Sequence, residues 1–74
     1  MAYLPSVSAR RLRRVLEKRG FEIDRQVGSH VFLKKMPEGF VTSVPMHRGD
    51  IDKGLLTSIL KQAHLSVEEL KELL

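Results

Sequence analysis

Seventy-four residues are enough for one domain with a small core, and they leave no room for a separate catalytic domain. The chain has no cysteine, which excludes disulfides, thiolate metal sites and a cysteine nucleophile, and which favours a reducing compartment. A net charge of +4 makes a polyanion a reasonable partner, although ordinary solubility also accounts for such a charge.

The distribution of charged and apolar residues indicates in which cellular compartment the protein is expected. Acidic residues gather near the carboxyl end, so the rest of the chain is more basic than the total suggests. The first residues do not resemble a signal peptide, and no apolar run is long enough to span a bilayer. We therefore expect a soluble, cytoplasmic protein without a membrane partner, with a single domain over residues 1–74.

The first predicted element is an amphipathic helix over residues 9–19, which follows a short lead-in of residues 1–7. Ser8 is a favourable N-cap, and Gly20 is a favourable residue to end the helix. Apolar residues recur at helical spacing between them, while the opposite face is strongly basic. That basic face is either a phosphate-binding stripe or, more simply, the solvated side of the helix.

Alternating apolar and polar residues predict three strands after this helix. Phe21, Ile23 and Val27 alternate with polar residues and indicate a first strand with one buried face. A second strand is expected at residues 29–35 and a third at residues 40–44, joined by a Met-Pro-Glu-Gly turn. Two consecutive hairpins give a three-stranded antiparallel sheet.

The side chains of the second and third strands should divide between the two faces of this sheet. The residues predicted to face the core are Val31, Leu33, Thr42 and Val44. His30, Phe32 and Lys34 then form one row on the opposite face. An imidazole, an aromatic ring and a cation are therefore expected side by side on an open surface.

Two helices complete the predicted fold. The longer one covers residues 53–64, with an apolar stripe of Leu55, Leu56, Ile59, Leu60 and Ala63. Ser66 and Glu69 are spaced as a capping box that starts a short last helix. The order is αβββα with a short C-terminal helix, an α+β arrangement that matches double-stranded RNA-binding domains.

Gly28, Ser29 and His30 stand where the first predicted strand turns into the second. Glycine accepts the backbone angles of a tight turn, and serine is small enough to leave the imidazole uncrowded. Imidazole exchanges its proton near neutral pH and can serve as a general base or acid. From the pattern alone, a solvent-facing histidine with no catalytic task is the simpler interpretation.

Several ordered motifs nevertheless resemble the HicA toxin family of messenger-RNA interferases. They are Gly20-Phe21-Glu22, Arg25-Gln26-Val27-Gly28-Ser29-His30, Pro37-Glu38-Gly39, Val44-Pro45-Met46-His47 and Ser58-Ile59-Leu60-Lys61-Gln62-Ala63. The resemblance covers nearly the whole chain, from about residue 8 to residue 67. Matching order and spacing make it far more specific than the Gly-Ser-His motif alone.

The resemblance implies a double-stranded-RNA-binding-domain-like fold and a ribonuclease that requires no cofactor. It also implies a type II toxin that a HicB antitoxin neutralises by covering the site. By position, His30 is the catalytic residue, Gly28 and Ser29 belong to the motif that presents it, and Arg25 is the basic residue before it.

As a hypothesis, neutral His30 removes the proton of an RNA 2′-hydroxyl, which then attacks the adjacent phosphorus. Arg25, Lys34 and Arg48 are candidate cations for the charge on phosphorus. His47 is a candidate acid for the leaving oxygen, or it simply caps the segment that follows.

Phe32 either stacks an unpaired base or packs against an antitoxin or the tail. The predicted RNA-contacting residues are therefore Arg25, Ser29, Phe32, Lys34, His47 and Arg48.

The chain departs from the family pattern at two helix ends. Gly54-Leu55-Leu56 stands where Gly-Thr-Leu is common, and His64 stands where a glycine often ends the helix. We interpret His64 as a structural substitution outside the site. The three histidines lack the spacing of metal ligands, and Asp50 and Asp52 are better explained as a helix cap and solvated loop, so no metal is expected.

Two other classes of function compete with the enzyme. A noncatalytic RNA-binding module would use the same basic sheet face, with His30 touching only phosphate or sugar. A pure protein-interaction domain would show no salt-dependent affinity for RNA. Cleavage of RNA that depends on His30 distinguishes the enzyme from both.

Overall fold

The computed structural model describes residues 3–74, so the first two residues of the predicted lead-in lie outside it. Its elements, in chain order, are α1 (Ala9–Lys18), β1 (Glu22–Val27), β2 (His30–Lys35), β3 (Phe40–Pro45), α2 (Lys53–Gln62) and α3 (Val67–Leu73). The strands form one antiparallel sheet in the order β1-β2-β3. The predicted αβββα arrangement with a short C-terminal helix is confirmed.

Both ends of α1 follow from single residues. Ser8 Oγ accepts a hydrogen bond from the Arg11 amide, as the N-cap prediction requires. At the other end, Gly20 has φ +97°, and the Phe21 amide donates back to the Leu16 carbonyl oxygen. This is the Schellman arrangement that a glycine after the helix makes possible. It directs Phe21 into the core just before β1 begins.

The prediction that β1 has one buried face is wrong, because a β-bulge interrupts it. Ile23 pairs with Leu33 and Arg25 pairs with Phe32, so Asp24 is the additional residue. The bulge reverses the alternation, and Val27 pairs with His30 on the open face, where it is 57% exposed.

Ile23 is exposed for a different reason. It lies on the core side of the sheet, opposite Leu33, yet it is 47% exposed. The helices α1 and α2 pack against β3, whereas β1 lies at the other edge of the sheet. Ile23 is therefore on the core side of the sheet but away from the helices that cover it.

The predicted division of β2 and β3 into two faces is confirmed. The buried members of these strands are Val31, Leu33, Thr42 and Val44. Val31, Leu33 and Val44 share one hydrophobic cluster with buried residues of α1, α2 and α3. The Thr42 hydroxyl, the polar group in this set, donates to Oε1 of Gln62 at 2.8 Å, so its burial leaves no unmade hydrogen bond.

Helix α2 is shorter than predicted, and its buried apolar stripe is narrower. It ends at Gln62, and His64 follows in a left-handed conformation with φ +55°. The Leu65 amide donates to the Leu60 carbonyl oxygen, the same closure that Gly20 allows in α1. His64 stacks on Phe40 with ring centroids 3.8 Å apart, a contact that offsets part of the conformational cost.

Leu55 does not belong to the buried stripe of α2. The buried residues are Leu56, Ile59 and Leu60, together with Ala63 just beyond the helix, whereas Leu55 is 40% exposed. Successive residues of a helix are about 100° apart, which places Leu55 at the margin of the core-facing side.

The lead-in to α1 is more ordered than the sequence indicates. Val7 is completely buried, and its carbonyl oxygen accepts a hydrogen bond from the Ile51 amide at 2.8 Å. Ser8 and Asp50 form an isolated antiparallel bridge. The segment before α1 therefore holds the loop between β3 and α2 against the core. Within residues 3–74, no helix is long and apolar enough to cross a membrane.

The capping box of α3 is confirmed and gives the stability of the fold a defined pH dependence. Oε1 of Glu69 accepts from the Ser66 amide, and its other oxygen lies 2.7 Å from the Arg19 guanidinium. Hydrogen bonds from Ser66, aided by the positive charges of Arg19 and Lys35, lower the pKa of Glu69 below its usual value of 4.5.

We expect Glu69→Gln to lower the Tm at pH 7, because the folded state prefers the ionised carboxylate. A lowered folded pKa gives stability that is fully present above pH 4.5 and is lost as the pH falls through the folded value. The Tm difference between wild type and variant should therefore shrink in melts below pH 4.5. Glu68→Gln, in the same turn, is the control. A difference that stays constant down to pH 2 would mean that the charge of Glu69 is not the cause.

Candidate functional site

The turn between β1 and β2 presents the candidate catalytic histidine. Val27 pairs with His30, so Gly28 and Ser29 form a two-residue hairpin turn. Gly28 has φ +60°, and a Cβ added there would meet nothing within 4 Å. The backbone angle, rather than a lack of space, is therefore the reason for glycine at this position.

His30 is exposed at the first position of β2, on the face opposite the helices. Its neighbours across the strands are Val27 of β1 and Pro45 of β3. The Ser29 carbonyl oxygen accepts a 2.7 Å hydrogen bond from the Met46 amide. This bond fixes the end of β3 to the turn that carries His30, and Ser29 takes part through its backbone.

The structure brings His47 next to His30. The His47 amide donates to the Pro45 carbonyl oxygen, which folds the chain tightly at the end of β3. The two imidazole rings then lie 6.4 Å apart between centroids, nearly perpendicular at 84°. Two imidazoles thus stand side by side on an exposed surface.

Phe32 and Arg25 form a second part of the same face. They are paired across β1 and β2, and the Arg25 guanidinium carbon lies 4.6 Å from the centre of the Phe32 ring. Phe32 is half-buried on the open face of the sheet. The helices, including the tail helix α3, pack on the other face, so Phe32 does not pack against the tail. A planar cation over an aromatic ring is a surface on which an unpaired base can stack.

Lys34 is the predicted cation that the structure places least favourably. It lies four residues along β2 from His30, roughly 13 Å at the rise of a strand. Its ammonium is 3.3 Å from an Asp24 carboxylate oxygen, and the same carboxylate lies 3.7 Å from the Arg25 guanidinium. Lys34 can therefore contact a distant part of a bound strand, but not the phosphate beside His30.

Arg48 lies closer to the histidine pair. It follows His47 in the loop after β3, and both residues line a cleft of about 420 Å³. The other residues of the cleft are Ser8, Arg10, Met46 and Gly49. The sequence predicted Arg48 as a candidate cation and placed Arg10 in the basic face of the first helix, but it did not connect Arg10 with this loop. The bridge between Ser8 and Asp50 and the hydrogen bond between Ile51 and Val7 bring the start of α1 to the loop.

Within the described part of the chain, no three His, Cys, Asp or Glu residues are grouped closely enough to hold a metal ion. The Asp52 carboxylate caps α2 by accepting from the Gly54 and Leu55 amides. Proton transfer by the two imidazoles is the chemistry that these residues offer.

Fold and site together define a small basic αβββα domain, compatible with the double-stranded-RNA-binding-domain-like class, whose open sheet face carries paired histidines. The model of a protein family described as the HicA toxin of bacterial toxin–antitoxin systems matches residues 9–65, more than half of the chain. The chain belongs to the HicA toxin family, which implies an antitoxin partner. No curated protein matches it significantly.

Gly28→Ala tests whether the turn positions His30. We expect a loss of about 1–2 kcal/mol of stability, because alanine resists a positive φ. Gly39→Ala is a matched control, since Gly39 has φ +79° in the other hairpin and equally open surroundings. Only Gly28→Ala should weaken the NMR contacts between the His30 and His47 rings. Equal weakening in both variants would show that general loosening, not the turn, is responsible.

Proposed function

We propose that this protein is a metal-independent mRNA interferase, an endoribonuclease toxin of a type II toxin–antitoxin system in the cytoplasm, with His30 as the general base. The observation that carries the proposal is the pair of exposed imidazoles 6.4 Å apart on the open sheet face. Membership of the HicA family adds support, because it makes the chain a toxin.

The reaction balances with two imidazoles and no further reagent. Neutral His30 takes the proton of a ribose 2′-hydroxyl, and the 2′-oxygen forms a bond to the adjacent phosphorus. The bond from phosphorus to the 5′-oxygen breaks, and protonated His47 gives that oxygen a proton. The products are a 2′,3′-cyclic phosphate and a 5′-hydroxyl. DNA survives because it lacks the attacking hydroxyl.

The positions of the two rings suit this displacement. The entering and leaving oxygens lie on opposite sides of phosphorus, so base and acid must approach from different directions. Ring centroids 6.4 Å apart keep the two imidazoles close enough to contact oxygens of the same phosphoryl group. Arg48, which follows His47 and lines the same cleft, is the predicted cation that we assign to the negative charge that grows on phosphorus.

A noncatalytic RNA-binding module is the second candidate. The stack of Arg25 on Phe32 favours it, since this surface can bind a base without any chemistry at His30. Both candidates predict salt-dependent binding of RNA. They differ in whether the bound strand is cut.

His30→Ala is expected to slow cleavage of single-stranded RNA by about 10²–10⁴-fold in EDTA, with binding retained. The control is His64→Asn, since asparagine tolerates the positive φ of His64 and this residue stacks on Phe40, away from the pair. The control should cut RNA at the wild-type rate.

Two results of this assay would overturn the enzyme. Equal activity of wild type and His30→Ala removes His30 from the mechanism, while binding without cleavage by folded wild type supports the module.

The same assay tests the antitoxin proposal, in which a HicB-type partner covers His30. An equimolar HicB-type partner should abolish cleavage, and undiminished cleavage by the complex would contradict covering of the site.

His47→Ala tests the assignment of the acid. Cleavage of ordinary RNA should fall by about 10²–10⁴-fold, since the leaving oxygen then departs unprotonated. RNA with sulfur in place of the scissile 5′-oxygen should be cut by His47→Ala at nearly the wild-type rate, because a thiolate leaves without a proton. His30→Ala should remain slow on this substrate.

The pH profile provides a second measurement. Wild-type activity should pass through a maximum, since one imidazole must be neutral and the other protonated. His47→Ala should lose the decline on the alkaline side. Slow cleavage of the sulfur substrate by His47→Ala, with an unchanged profile, would make His47 a positioning residue.

A further inference from the structure

We propose that the cleft beside His47 binds the phosphate immediately downstream of the scissile bond, so that Arg10 and Arg48 set the position of the RNA strand. This inference deepens the proposed function and rests on it. It adds a binding subsite formed by α1 and by the loop after β3. The ligand is the phosphodiester backbone of single-stranded RNA.

The cleft has the size and lining of a binding site. Its volume of about 420 Å³ is within the range of small-ligand sites, roughly 300–1,000 Å³. Arg10 enters it from the first turn of α1, and Arg48 enters it from the loop. Guanidinium groups are the side chains best suited to grip a phosphate through two parallel hydrogen bonds.

The two arginines are available for an anion. Within residues 3–74, Asp and Glu carboxylates pair instead with Arg13, Arg19, Arg25, Lys34 and Lys35. Asp50 and Asp52 line a neighbouring depression that shares His47, Arg48 and Gly49 with the cleft. Neither carboxylate is among those that form ion pairs within residues 3–74. The Arg11 amide at the start of α1 is already satisfied by Ser8 Oγ. Among the residues that line the cleft, Arg10 and Arg48 carry the permanent positive charges.

The direction of the strand follows from the roles of the two histidines. His47 lines the cleft, whereas His30 does not. If His47 protonates the leaving 5′-oxygen, the leaving nucleotide lies on its side of the scissile phosphorus. The next phosphate belongs to that nucleotide and reaches the cleft, while the upstream strand runs over the sheet toward Phe32 and Arg25.

The binding test uses a labelled 2′-O-methyl RNA hexamer, which cannot be cut. The double variant R10Q/R48Q should bind it roughly tenfold more weakly, as expected for lost charge-assisted bonds. The slope of log affinity against log salt concentration should be smaller in magnitude by about 0.7, the value for one lost phosphate contact. The matched control R11Q/R14Q removes the same charge from the cleft between α1 and the C-terminal residues. An equal loss in both double variants would overturn the site.

The position test uses DNA oligonucleotides with a single ribonucleotide and one neutral methylphosphonate. Placed immediately downstream of the scissile linkage, the methylphosphonate should lower kcat/KM of wild type roughly tenfold, but should cause no further loss in R10Q/R48Q. Placed immediately upstream, it should affect wild type and R10Q/R48Q equally. The reverse pattern would overturn the inference.

The two tests separate this inference from the proposed function. If folded wild type cuts nothing, the enzyme fails, and the hexamer measurement still decides whether the cleft binds phosphate. If wild type cuts RNA and R10Q/R48Q behaves like R11Q/R14Q in both assays, the subsite fails and the enzyme stands.

Discussion

The geometry of the candidate site depends on the tethering of the loop between β3 and α2 at both ends. At its start, the Met46 amide is bonded to the Ser29 carbonyl oxygen in the turn that carries His30. At its end, Ile51 is bonded to Val7, a completely buried residue. A free loop would sample many positions of His47, and holding this residue beside His30 would then cost conformational entropy. The tethers meet that cost during folding.

The second constraint is the bulge in β1. Without Asp24 as an additional residue, the alternation of the strand would turn Arg25 away from Phe32 and point Val27 toward the helices. The bulge instead places an arginine over the aromatic ring and an apolar side chain beside His30. One inserted residue thus decides which side chains β1 presents on the open face.

Local features of this fold could be predicted from the sequence, whereas long-range ones could not. Ser8, Gly20 and the Ser66–Glu69 box act within one or two turns of chain, so their effect is visible in the letters. The bulge could not be predicted in this way, because Phe21, Ile23 and Val27 also fit a strand without a bulge. The meeting of Arg10 with His47 required contacts between segments about forty residues apart, and no periodicity records these.

The open sheet face, with its exposed histidines, is accessible to a protein partner. His30 and His47 are both exposed, and the helices that could shield them lie on the opposite face of the sheet. Apolar side chains flank the row at the sheet edges, with Val27 57% and Val41 54% exposed. Burying such residues stabilises a complex by about 25 cal/mol for each Å² removed from water. A partner that covers this face would bury the valines together with both imidazoles. Because the helices lie on the opposite face, it could do so without displacing any of them.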